Sequence, residues 1–163
     1  MIPIIAVVGY SNSGKTTLIV KLVKELKSRG FRIATIKHHH ETISLDVPGK
    51  DTWKYSAAGA DIVVLASPGS VNIIENTPED LTLDNLASRI TGVDLIIAEG
   101  FKRESRLKIE VFRSGVHEKL ITPIEQLLAV ASDINHAGVP TFALDDATGL
   151  VNYLQEKLRL ASV

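Results

Sequence analysis

Short, unbroken apolar runs alternate along the chain with longer stretches in which apolar residues recur every three or four positions. Ile4–Val8 is apolar throughout and reads as a buried strand, and Lys15–Ser28 gathers Leu18, Leu22, Val23 and Leu26 on one helical face before Gly30. Residues 32–36, 94–98, 127–131 and 141–144 repeat the strand pattern, and 108–112 alternates enough to predict a partly exposed strand. Helices are expected over 52–58, 78–90 and 148–160, the second entered through Thr77 with Pro78 at its first position. Residues 62–66 and 71–74 flank the turn Ser67-Pro68-Gly69-Ser70 and predict a hairpin. Apolar strands separated by helices are the pattern of a mostly parallel sheet covered on both faces. The expected architecture is a three-layer α/β/α domain over residues 1–163, with an antiparallel element at the sheet edge.

Composition narrows the possibilities. At 163 residues the chain has the length of one domain and buries roughly two-thirds of its unfolded surface on folding. It has no cysteine, which excludes disulfides, thiolate-bound zinc and iron–sulfur clusters. With 18 basic and 19 acidic residues, it lacks the general basic surface of a nucleic-acid binder. No apolar run approaches the length that spans a bilayer, and residues 1–8 lack the basic start of a signal peptide. A cytoplasmic location without membrane or nucleic-acid partners is expected.

The chemistry begins directly after the first strand. Gly9-Tyr10-Ser11-Asn12-Ser13-Gly14-Lys15-Thr16 fits G-x-x-x-x-G-K-[ST] at every fixed position, fed by a strand and followed by a helix. A polyphosphate needs several backbone N–H donors converging on it, and Gly9 and Gly14 allow the tight curl that aims them. Ser11, Asn12, Ser13 and Thr17 belong to the same phosphate-binding segment. Lys15 is placed to reach the β- and γ-phosphates and Thr16 to ligate Mg²⁺. The expected fold is therefore that of a P-loop nucleoside triphosphatase.

Such proteins carry an acid at the end of a neighbouring strand. Asp94 opens its apolar run and lies at the wrong edge, whereas Glu99 closes it at the carboxyl edge where ligands bind open α/β sheets. Glu99 is the expected catalytic and Mg²⁺-shell acid. Lys37, His38, His39 and His40 follow the second strand at that same edge, where switch segments sit. Asp46 is a further candidate for Mg²⁺. Asp133, after the strand at 127–131, is a candidate guanine reader without the usual Asn-Lys pair before it; capping the following turn is its other reading.

Taken together, Lys37-His38, Asp46-Val47-Pro48-Gly49-Lys50-Asp51-Thr52, Ala58-Gly59-Ala60 and Glu99-Gly100-Phe101-Lys102 resemble the molybdopterin-guanine dinucleotide biosynthesis adaptor family, MobB, in residue type and in order. The match runs from Gly9 to about Glu110 and departs at Glu41, where the family usually has a further histidine. The resemblance implies a homodimer that binds GTP with Mg²⁺, hydrolyses it weakly and assists a molybdenum cofactor guanylyltransferase in joining GMP to molybdopterin. It also implies that Lys37, His38, Gly49, Lys50 and Lys102 meet a switch, a pterin or the partner. Two other readings stay open at this level. One is a small-molecule kinase with Arg103 and Arg106 as its lid; the other is a metal-delivery GTPase using the three histidines.

Overall fold

The structure is a computed structural model that describes residues 1–39, 41, 43, 46–104 and 107–160. Among them are eight strands: β1 (Ile4–Val8), β2 (Ile33–Lys37), β3 (Ile62–Ser67), β4 (Ser70–Glu75), β5 (Leu95–Glu99), β6 (Leu107–Phe112), β7 (Leu127–Ser132) and β8 (Thr141–Phe142). The α-helices are α1 (Lys15–Ser28), α2 (Asp51–Ala57), α3 (Leu83–Ser88) and α4 (Ala147–Leu158). The chain divides into two compact units, residues 1–38 with 83–163 and residues 39–82, where the sequence reads as one.

The larger unit is built on a six-stranded sheet in the order β2-β5-β1-β6-β7-β8, parallel at every pairing. β1 lies in its middle, and Ile5, Ala6, Val7 and Val8 are fully buried. Alternate residues of four strands (Ile5, Val7, Leu95, Ile97, Ile109, Val111, Ala129 and Ala131) form one cluster with Leu18, Leu22 and Leu26 of α1 and Leu150, Val151 and Leu154 of α4. The apolar stripes of both helices thus close over the same sheet face. A smaller cluster of Phe112, Val130 and Val139 lies between β6, β7 and the loop that follows. Because all six strands run the same way, every carboxyl end opens on one rim.

Two expectations need correction. Residues 108–112 of β6 are buried rather than half exposed, the polar Lys108 and Glu110 among them. Glu110 is tolerated there because both its oxygens accept backbone N–H bonds, from Ile121 at 2.8 Å and Thr122 at 3.0 Å. The helix expected from Pro78 begins only at Leu83, which is fully buried. Pro78, Glu79 and Asp80 offer no apolar face to pack, so nothing holds an earlier turn.

In the smaller unit β3 and β4 pair antiparallel as a two-stranded sheet of their own, not as an edge of the larger sheet. Val63, on one face, is buried. The opposite face carries Ile62, Val64, Val71 and Ile73, each more than half exposed. No helix among the described residues is long and apolar enough to cross a membrane.

Candidate phosphate site on the carboxyl rim

The loop after β1 is shaped by what cannot fit there. Gly9 has φ 144°, and a Cβ on it would lie 2.6 Å from the Val111 carbonyl oxygen of the neighbouring strand. Gly14 has φ 101° in the left-handed region and caps α1, with its carbonyl accepting from Leu18 N–H at 2.9 Å. Between them Asn12 also turns left-handed at φ 61°, while Ser13 is fully buried. Ser11, Asn12, Thr16 and Thr17 are exposed on the rim.

Three side chains with complementary chemistry meet at this loop. The Lys15 ammonium donates to the carbonyls of Gly9 at 3.2 Å and Tyr10 at 2.6 Å. Burial pushes its pKa below 10.5; Glu99 opposes that shift, and the charges of Lys102 and Lys37 add to it. The Thr16 hydroxyl donates to the Glu99 carboxylate at 3.1 and 3.3 Å. Lys37 Nζ stands 3.5 Å from the same carboxylate. Register explains the convergence, for Glu99 lies level with Val7 of β1 and with Lys37 of β2. Glu99 therefore ends β5 between the phosphate loop and the segment carrying Lys37.

Beyond Glu99 the chain turns through Gly100 and Phe101, and the Phe101 ring tilts against His38 at 5.0 Å. Asp94 sits at the other end of the strand, accepting from Arg32 N–H at 2.7 Å. Asp133 lies past β7, and both its oxygens accept from Ser114. In the smaller unit, Asp46 Oδ1 accepts from Val47 N–H at 2.8 Å and the Thr52 hydroxyl at 3.0 Å, ahead of α2. Gly49 and Lys50 occupy the turn between them, with Gly49 at φ 84°. Among the described residues no three histidine, aspartate or glutamate side chains converge as a metal centre. His40 and Arg106 lie outside the described residues.

Two residues that sequence reasoning passed over also touch the phosphate loop, and a third holds Asp133. Arg113 Nε donates to the Ser13 carbonyl at 3.0 Å, and its guanidinium lies 3.3 Å from where a Gly14 Cβ would stand. The His117 ring stacks on Tyr10 at 4.6 Å with 12° between planes. Ser114 grips Asp133. No motif spacing marks these residues, because their partners lie from 19 to about a hundred positions away along the chain. A 650 Å³ depression at the amino-terminal rim of the sheet, lined by Ile2, Ile4, Leu107, Lys108 and Glu125 among others, shares none of these residues.

Comparison with known proteins identifies the family. The family model for molybdopterin guanine dinucleotide synthesis protein B, MobB, matches residues 4–133. The chain is 39% identical to the molybdopterin-guanine dinucleotide biosynthesis adapter protein of Escherichia coli (strain K12), over 96% of this chain and 93% of that protein. It is 41% identical to the Haemophilus influenzae adapter protein, over 81% of this chain and 75% of the relative. The crystal structure of Bacillus subtilis MobB superposes with a TM-score of 0.72 at 26% identity, covering 99% of each chain.

Proposed function

The chain belongs to the MobB family, and from that premise we propose that it is a GTP-binding adaptor in molybdenum cofactor biosynthesis. Its role in this reading is to assist the guanylyltransferase that joins GMP to molybdopterin, as a homodimer in the cytoplasm. The observation that carries the reading is the meeting of Lys15, Thr16 and Glu99 on one rim, with the Thr16 hydroxyl on the Glu99 carboxylate at 3.1 Å. A hydroxyl and a carboxylate are the hard oxygen donors Mg²⁺ takes, so the residues present fit that ion. Lys15 and the N–H groups of residues 9–17 would hold the triphosphate, and Asp133 would accept from the guanine edge. Lys37 and Lys102, close enough to lower the Lys15 pKa, add positive charge where the γ-phosphate would lie. With Glu99 as the acid on that rim, only weak GTP hydrolysis is expected.

Support for the second copy comes from the smaller unit. Ile62, Val64, Val71 and Ile73 form a continuous exposed apolar face on a two-stranded sheet, an arrangement that gains by being covered.

The test is reconstitution. Purified protein added with Mg²⁺ and GTP to the matching guanylyltransferase and molybdopterin should raise the yield of guanylated cofactor, and Lys15→Ala should abolish that rise while sparing the transferase's basal rate. No stimulation at any ratio, or efficient phosphorylation of a small acceptor by the protein alone, would defeat the proposal.

A further inference from the structure

Glu99 faces the phosphate loop from the end of β5, and its surroundings are cationic. Lys37 is its level partner on β2, and the ladder runs one step further, with the His38 N–H donating to the Glu99 carbonyl at 3.1 Å. Residues level with each other in a pair of strands carry their side chains on the same face of the sheet, so the backbone sets the Lys37 ammonium beside the carboxylate. The two groups stand 3.5 Å apart, Lys37 largely exposed and Glu99 largely buried. Lys15 shares the rim, but its ammonium is committed to the Gly9 and Tyr10 carbonyls. Among the described residues Lys37 is the one cation within ion-pair distance of Glu99.

This placement answers an electrostatic problem. A triphosphate entering the loop brings several negative charges toward a carboxylate fixed on the same rim, and like charges at close range repel. In nucleotide sites of this kind a divalent cation lies between acid and phosphate and cancels that repulsion. Here the fold supplies a tethered cation of its own. The Thr16 hydroxyl lies across both oxygens of Glu99, at 3.1 and 3.3 Å, and Lys37 stands at Oε1. Lys15 feels the charges of Glu99, Lys102 and Lys37, so three ammonium groups surround one carboxylate.

We propose that Lys37 is a built-in counter-ion for Glu99, which lets this site hold a triphosphate without Mg²⁺ and limits how much the metal adds. The inference rests on the reading of this rim as the triphosphate site. In the presence of Mg²⁺, Lys37 adds to phosphate affinity as one positive charge among several. Without the metal, Lys37 also keeps the acid and the phosphates from repelling each other. Its loss is therefore felt more in the metal's absence than in its presence.

Calorimetry with GTP and with inorganic tripolyphosphate, each in Mg²⁺ and in EDTA, reads this as a ratio of affinities. Withdrawing the metal should weaken binding about tenfold in the wild type and about a hundredfold in Lys37→Met, which keeps the apolar stem. The ratio should thus grow about tenfold, the weight of one charge-assisted contact. Lys37→Arg should keep the wild-type ratio, because it keeps the charge. In Glu99→Gln the repelling carboxylate is gone, so adding Lys37→Met should leave the ratio where Glu99→Gln alone puts it. A plain phosphate contact would instead weaken binding by one factor in both buffers. Affinities that fall alike in both buffers in Lys37→Met, an unchanged ratio, or a ratio that grows as much in the Glu99→Gln background would overturn the role of Lys37 and keep the phosphate site. A wild type that binds neither GTP nor tripolyphosphate in either buffer would overturn the site reading on which the inference stands.

Discussion

Lys15 sits between two loop carbonyls with its charge disfavoured by burial and by two neighbouring lysines, so an incoming anion meets a cation short of negative partners. Replacing it with alanine removes a charge-assisted contact worth about 1.5–3 kcal/mol, which weakens GTP roughly tenfold or more. Lys15 is not part of the apolar core, so calorimetry should find that loss in a protein whose thermal unfolding is unchanged. Asp94 makes a different kind of prediction. The Arg32 N–H, above all, holds its carboxyl below 3.8, so the unfolded chain binds the proton more readily. Its stabilising contribution is complete above that value and is lost as pH falls through the lower folded one. Urea unfolding at pH 6, 4 and 3 should show the wild type losing more stability across the acid range than Asp94→Asn. At this scale the sequence revealed Gly9, Gly14, Lys15, Thr16 and Glu99, because fixed spacing and the end of an apolar run leave a local trace. Arg113 and Ser114 leave none; each is a lone polar residue after a strand, and its partner is known only once β6 lies beside β1 and β7.

Elements followed the same division. β1 and α1 match the expected spans, since each combines an apolar pattern with a sharp glycine boundary. β5 runs one residue further than its apolar run and takes in Glu99, because pairing with β1 and β2 carries on to that residue. Alternation in β6 misled for a physical reason, since period two cannot tell an exposed carboxylate from one satisfied by two buried N–H groups. The hairpin was legible as a hairpin, but its independence from the main sheet was not, because turn chemistry carries no information on distant pairing. Its apolar face supports a specific expectation. Ile73→Asp places a charge at the centre of that face, so light scattering should find the mass of the wild-type particle halved. A wild type of monomeric mass would overturn the proposed dimer, and a variant that keeps a dimeric mass would assign its interface elsewhere. Ile73 is exposed, so the variant's own stability should change by no more than about 0.5 kcal/mol.

The whole molecule joins a large apolar sheet to a small unit with a single buried strand residue, Val63. Local opening follows that contrast, since two-stranded sheets are marginal alone and amides in a deep core exchange only on global unfolding. Hydrogen exchange by mass spectrometry should find β1, β5 and β6 slowest and β3–β4 the fastest of the strands. Protection of β3–β4 should rise with protein concentration if a second copy covers Ile62 to Ile73; equal protection at all concentrations would count against that cover. The position of β1 has one more consequence, in the order of manufacture. It is made before both of its neighbours, β5 and β6, which come about ninety to a hundred residues later. While the ribosome works, the phosphate loop trails from a strand with two bare edges, and closing so long a loop is slow. The cradle forms only once Phe112 has emerged, so a chain cut short before that residue would expose its stickiest strand and bind no nucleotide.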